Sequence, residues 1–231
     1  MSRFYAACLA SYNNGRLHGA WIDATDDADA MQDEVNAMLR ASKYPNIRVA
    51  KDDDSKDRVD EIWPKLRTMT PDQCCGSAYR ALFDEYMSLT VPSAEEWCVH
   101  DTDDDDDIGL SELGETSDLH AIAQLVEAAE IAESEFGSDG PAIVRAYWDH
   151  VGARPDDAKE AVETAHEAYA GEFRDLETWA EEFLEDTGAL KEVPDSLRNY
   201  IDFAAWARDA ERSGDIFTVN SSGGQYVFWN H

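Results

Sequence analysis

The side chains with the most chemistry to offer in this 231-residue sequence are its acids, fifty Asp and Glu against nineteen Lys and Arg. Their spacing is ordered. Asp156, Glu160, Glu163 and Glu167 fall at i, i+4, i+7 and i+11, on one side of a helix whose other side would carry Ala158, Ala161, Val162, Ala165 and Tyr169. Glu177, Glu181 and Glu185 repeat the pattern opposite Leu176, Trp179, Phe183 and Leu184; Glu127 and Glu130, with Glu133 or Glu135, decorate an earlier helical stretch. Like charges at these spacings destabilise a helix by roughly 0.2–0.5 kcal/mol per pair. In the first stripe only Lys159, four residues before Glu163, gives relief. Eleven residues at about 1.5 Å rise span roughly 16 Å, so carboxylates recur about every 4–5 Å, the same order as the ~3.4 Å phosphate repeat of one DNA strand. A solvated face is the plain reading of any one stripe. Three under-compensated stripes in one half of a chain point to a basic partner.

A second acidic constellation is the run Asp101 to Asp107. Asp101, Asp103, Asp105, Asp107 and Glu112 occupy the ligand positions of a calcium loop, but Asp106 stands where that loop needs Gly for its sharp turn. Trp97 to His100 before it reads as a strand, not an entering helix, so a solvated acidic loop is the preferred reading over calcium. The six histidines show no zinc spacing, and no nucleophile elbow, Walker loop or dinucleotide fingerprint is present. Cys74 and Cys75 have no neighbouring base. The residues therefore nominate no catalytic group, no cofactor and no metal ligand, and the protein reads as a non-enzyme.

The net charge of −31 lies far beyond the magnitude of roughly 2–8 that solubility requires. It excludes ordinary binding to nucleic acid or to anionic membranes, which demand basic surface. The charge is also uneven: residues 1–97 hold 11 bases and 17 acids, net −6, whereas residues 98–231 hold 8 and 33, net −25. With 43% hydrophobic residues and seven Trp the chain is built to fold, not to remain a disordered acidic tail. Four cysteines without a C-x-x-C pair, no signal peptide and no apolar run of spanning length lead us to expect reduced thiols in a cytoplasmic protein.

The elements that must position these acids are partly legible. Arg3 to Ser11 and Leu17 to Ala24 read as strands of a hairpin around Asn13-Asn14-Gly15, followed by an amphipathic helix over 26–41 with Met31, Val35, Met38 and Leu39 inward. Residues 43–93 differ: eight bases, nine acids and four prolines, with short helices predicted around 57–67 and 76–88. Further helices are predicted over 118–136, from Pro141 to His150, and over 156–169, 175–187 and 202–213, with Gly152, Gly188 and Gly214 as stops. Ile216–Asn220 and Gln225–Trp229 flank a Ser-Ser-Gly-Gly turn as a terminal hairpin. The fold class is α+β.

The stretch from Phe4 to Ala24, with Leu9-Ala10-Ser11-Tyr12-Asn13-Asn14-Gly15 and Gly19-Ala20-Trp21-Ile22-Asp23, resembles the opening of the ArdA antirestriction family. Glu95-Glu96-Trp97 looks like its next landmark. Leu184 to Gly188, Val193-Pro194, Leu197-Arg198-Asn199-Tyr200, Ala207-Arg208-Asp209, Ser213 to Phe217 and Val227-Phe228 resemble its C-terminal pattern. Against that pattern, 43–93 reads as an insertion, and Asp101–Asp107 is more acidic than the loop usual there.

The resemblance implies an elongated protein of three small domains, near 1–112, 113–171 and 172–231, that forms a homodimer through its C-terminal region. It implies a DNA mimic whose carboxylates stand where the phosphates of bent B-form DNA would lie, and which fills the DNA-binding groove of type I restriction–modification enzymes to protect incoming mobile DNA. The residues expected to form that surface are Asp103, Asp105, Asp107, Glu127, Glu130, Asp156, Glu160, Glu163, Glu167, Glu177, Glu181 and Glu185. A dimer at 2 × (−31) = −62 matches roughly 105 Å of duplex, on the order of 30 base pairs, at about one charge per 1.7 Å. The alternatives are a generic acidic binder of some other basic partner, or a calcium module at Asp101–Glu112.

Overall fold

The computed structural model describes residues 2–105, 108–152 and 157–230. Helices and small antiparallel sheets alternate in an α+β fold, divided into two compact units, Met1–Ala123 and Gln124–His231.

The first unit opens with β1 (Arg3–Cys8), which pairs antiparallel with β2 (Gly19–Asp23). Between them lies α1 (Leu9–Asn13), one helical turn, where the sequence predicts a longer strand and a tight turn. Asn14 accounts for the difference. Its side-chain amide donates to the Ala10 carbonyl at 2.8 Å, which closes the helical turn, and Gly15 follows at φ 71°. Next comes α2 (Ala28–Arg40), started by Asp27, whose carboxylate accepts the Ala30 N–H at 2.9 Å; it buries Met31, Val35, Met38 and Leu39, the stripe its periodicity predicts.

The 43–93 segment forms its own layer: β3 (Ile47–Ala50), α3 (Asp53–Thr68), the short α4 (Pro71–Cys74), α5 (Ser77–Leu89) and β4 (Thr90–Ser93). Val59, Ile62, Leu66 and Tyr86 make its core. Because β3 and β4 pair antiparallel, Ile47 against Ser93, the chain re-enters close to where it left. A segment with adjacent ends can be inserted without displacing its flanks. Then β5 (Trp97–Asp103) joins the other edge of β1, giving the order β2-β1-β5.

The second unit takes up most of α6 (Leu119–Phe136), then α7 (Gly140–Val151), α8 (Ala158–Ala168), β6 (Tyr169–Phe173), α9 (Leu176–Asp186), α10 (Asp195–Arg198), α11 (Phe203–Ser213), β7 (Ile216–Asn220) and β8 (Gln225–Trp229). Its sheet has the order β6-β8-β7, with the terminal hairpin where the sequence predicts it. Adjacent strand residues face opposite ways, and here they serve two cores. Phe217, Tyr226 and Phe228 pack with Ile143, Ala146 and Ala168 on one face, whereas Ile216 and Val227 pack with Trp179, Ala180, Ala207 and Ala210 on the other. The helices of the 113–171 stretch thus share a core with the C-terminal strands. Ala128, Ala132, Val144, Ala158, Val162 and Ala165 fill the space between α6, α7 and α8, and such small side chains let the helices approach closely.

Candidate functional site

The acidic helices are positioned by capping as well as by their apolar faces. Asp157 starts α8 by accepting the Glu160 N–H at 2.8 Å. Ala158, Ala161, Val162, Ala165 and Ala168 are then buried, and the opposite side presents Glu160, Glu163 and Glu167 to solvent. Lys159 lies 3.6 Å from Glu163, but with both side chains well exposed the pair contributes little. Asp156 lies outside the described residues, so the stripe inside α8 has three members. Tyr169, expected on the apolar face of this helix, instead begins β6 opposite Phe228.

Asp175 does the same work for α9. It accepts from the Thr178 hydroxyl at 2.7 Å and the Thr178 N–H at 2.9 Å, and Arg174 donates to it at 2.8 Å. These bonds, the Thr178 hydroxyl foremost, hold its carboxyl down at about 2. Trp179 and Ala180 face the core, with Phe183 packed between Trp206 and Trp229. Glu177, Glu181 and Glu185 are exposed as predicted, and Glu182 and Asp186 extend the acidic face. Those two were absent from the expected set because the series 177, 181, 185 follows four-residue steps alone. Glu185 has a cation near it, Arg198 at 3.5 Å. On α6, Glu127, Glu130, Glu133 and Glu135 are all exposed. One turn ahead, Gln124 donates to Glu127 at 3.3 Å and accepts the Ala158 N–H at 2.9 Å, tying α6 to the start of α8.

The second unit therefore collects eight of the expected carboxylates on α6, α8 and α9: Glu127 and Glu130, the three of α8, and the three of α9. Residues 124–231 hold 24 acids and 8 bases, net −16. In the first unit, 26 acids and 11 bases give −15, of which the 43–93 segment supplies only −1.

The aspartate run divides its duties. Asp103 is held by Arg3 through bonds of 2.6 and 2.9 Å, with Arg3 also 5.0 Å from the Trp21 ring centroid, so its charge is largely compensated. Asp104 accepts the N–H groups of Ile108, Gly109 and Leu110 at 2.9–3.0 Å and the Ser2 hydroxyl at 2.9 Å. It anchors the loop into a 3-10 turn at Leu110–Leu113. The signal was an Asp ahead of Gly109, which takes φ 89°. Asp105 is exposed and Asp107 lies outside the described residues. Among the described residues no three His, Cys, Asp or Glu are grouped to hold a metal ion, and no helix is long and apolar enough to cross a membrane. All four cysteines are free thiols, Cys8 buried and Cys75 exposed.

What this arrangement can do is present negative charge on rigid helices. Residues 4–224 match the family described as antirestriction protein (ArdA). No curated protein matches the chain. The match spans nearly the whole sequence, its landmarks lie in both units, and the chain accordingly belongs to the ArdA antirestriction family.

Proposed function

We propose that this antirestriction protein acts as a DNA mimic. Its carboxylates take the place of phosphates and occupy the basic DNA-binding groove of type I restriction–modification enzymes. The observation that carries the reading is the set of exposed, under-compensated glutamates on α6, α8 and α9, each rooted in a helix whose opposite face is packed in the core. Held on packed helices, the charges need little ordering when they meet a groove, and pre-organisation lowers the cost of binding. Steering by the net charge speeds encounter, and salt screens it.

A homodimer completes the proposal. Tyr200 and Leu197 are 84% and 54% exposed near the C-terminal end, and Trp206 is 36% exposed on α11. Large apolar groups left uncovered favour association. The test is substitution of Glu160, Glu163 and Glu167 by Gln. At roughly 0.2–1 kcal/mol per exposed ionic contact, inhibition of DNA cleavage by a type I enzyme should weaken about 3- to 150-fold. Unchanged inhibition would remove the stripe from the interface.

A further inference from the structure

The 43–93 segment and α2 enclose a groove of about 1000 Å³ in the first unit. Its apolar lining includes Ile47, Val49 and Tyr86 together with Trp63, Phe83 and Met87, and the last three are 49%, 39% and 39% exposed. Trp63 is not loose: it stacks on Tyr86 with ring centroids 5.4 Å apart and planes 21° from parallel. A rigid aromatic beside uncovered apolar neighbours is the usual make-up of a binding anchor.

Two further features narrow the occupant. The first is the edge of β3, a strand whose one partner among the described strands is β4 and which stays half-exposed along its length. The Lys51 N–H donates to the Leu89 carbonyl at 3.0 Å, in register with the Val49–Val91 and Ile47–Ser93 pairs. Bonded and non-bonded pairs alternate in an antiparallel ladder, so the backbone groups of Arg48 and Ala50 turn away from β4. Pro92, opposite Arg48, has no N–H to offer and fits that alternation. All four β3 residues line the groove.

The second feature is charge. Asp33, Asp52, Asp53, Asp60 and Glu95 rim the groove against Arg40, Arg48 and Lys56. Arg48 keeps its charge while donating to the neutral Thr90 carbonyl at 2.7 Å and hydroxyl at 2.9 Å, and five carboxylates still outnumber three cations. The rim is thus acidic in balance. A second copy of this chain, at −31, is repelled there, as is any acidic segment.

We infer that the groove docks an extended segment of a partner protein, apolar at alternate positions and flanked by Lys or Arg, which adds as a third strand along β3. Backbone bonds to Arg48 and Ala50 supply register, and the Trp63–Phe83–Met87 face receives the apolar side chains. The inference does not depend on the mimic reading, because the glutamates of the second unit take no part in it.

The test uses the full chain and a synthetic peptide mixture. About six central positions alternate Thr with randomised Val, Leu, Ile or Phe, flanked in one mixture by paired lysines and in the other by paired glutamates. The best binder from selection is labelled and its affinity measured by fluorescence anisotropy. We expect the lysine-flanked peptide to bind at least roughly tenfold more tightly than its glutamate-flanked copy, since like charges oppose docking. Methylating alternate backbone nitrogens of the peptide should abolish binding for one alternate set and spare it for the other. Met87→Lys should weaken binding at least about tenfold, with an unchanged melting curve showing that the fold persists. Equal affinity for the two flanks, binding by neither, indifference to both methylated sets, or full binding by a folded Met87→Lys protein would each overturn the inference.

Discussion

Glu163 has Glu160 and Glu167 one turn away on either side and only Lys159 for relief, at 3.6 Å. The two like-charge pairs cost the helix roughly 0.2–0.5 kcal/mol each. Replacing all three glutamates by Gln should therefore leave the protein as stable as before or slightly more so, by up to about 1 kcal/mol in urea unfolding, while antirestriction activity falls. A stabilising change that removes function is the mark of charge kept for a partner. Loss of stability in the triple variant would assign the stripe a structural role instead. Asp175 behaves in the opposite sense. Its folded carboxyl, at about 2, lies below the ordinary 3.8, so it stabilises the fold above about pH 4, and that contribution is lost as pH falls through about 2. Denaturant titrations at stepped pH should show a smaller acid loss in Asp175→Asn than in the parent. Equal slopes would mean that the Thr178 and Arg174 bonds do not persist in solution.

The close approach of α6 and α7 is the element-scale feature most open to test. A Cβ at Gly140 would stand 2.1 Å from the Ala132 carbonyl oxygen. Gly140→Ala must push the helices apart and should cost about 1–3 kcal/mol, as overpacking does. A melting temperature equal to the parent's would show that the junction is looser than described. Gly140 also illustrates what a sequence conceals: nothing in Asp-Gly-Pro identifies the carbonyl it touches. The long amphipathic helices were readable, because Met31, Val35, Met38 and Leu39 on α2, or Ala158, Ala161, Val162 and Ala165 on α8, recur with the helical period. The short strands were not. β3 and β4 have four residues each, too few for alternation to register, and β6 carries a register break between Tyr169 and Gly171, with Gly171 at φ 136°. Of the acidic surface, the helical members were legible from spacing alone. The aspartate run was not, since composition could not say that Asp103 faces Arg3 across two strands or that Asp104 caps a turn.

Over the whole molecule the charge divides evenly between the two units but unevenly within the first. The two units carry −15 and −16, and the 43–93 segment, in the midst of the first, carries −1. Its near-zero net charge and its closely placed ends set it apart in composition from the chain on either side. Replacing residues 43–93 by a short Gly-Ser linker should leave inhibition of a restriction enzyme within about twofold, as expected when no contact charge is removed. A collapse of inhibition in a variant that still melts cooperatively would place the segment in the enzyme interface.

If carboxylates on packed helices compete with DNA, protein and DNA must exclude one another from one groove, and a titration can decide it. Cleavage of DNA by a purified type I restriction enzyme is followed as this protein is added at several DNA and salt concentrations. Potent inhibition is expected, relieved by rising DNA and weakening steeply with salt, because both ligands depend on the same basic groove. Inhibition indifferent to DNA concentration and to salt would contradict it, and would mean that the protein acts away from the groove.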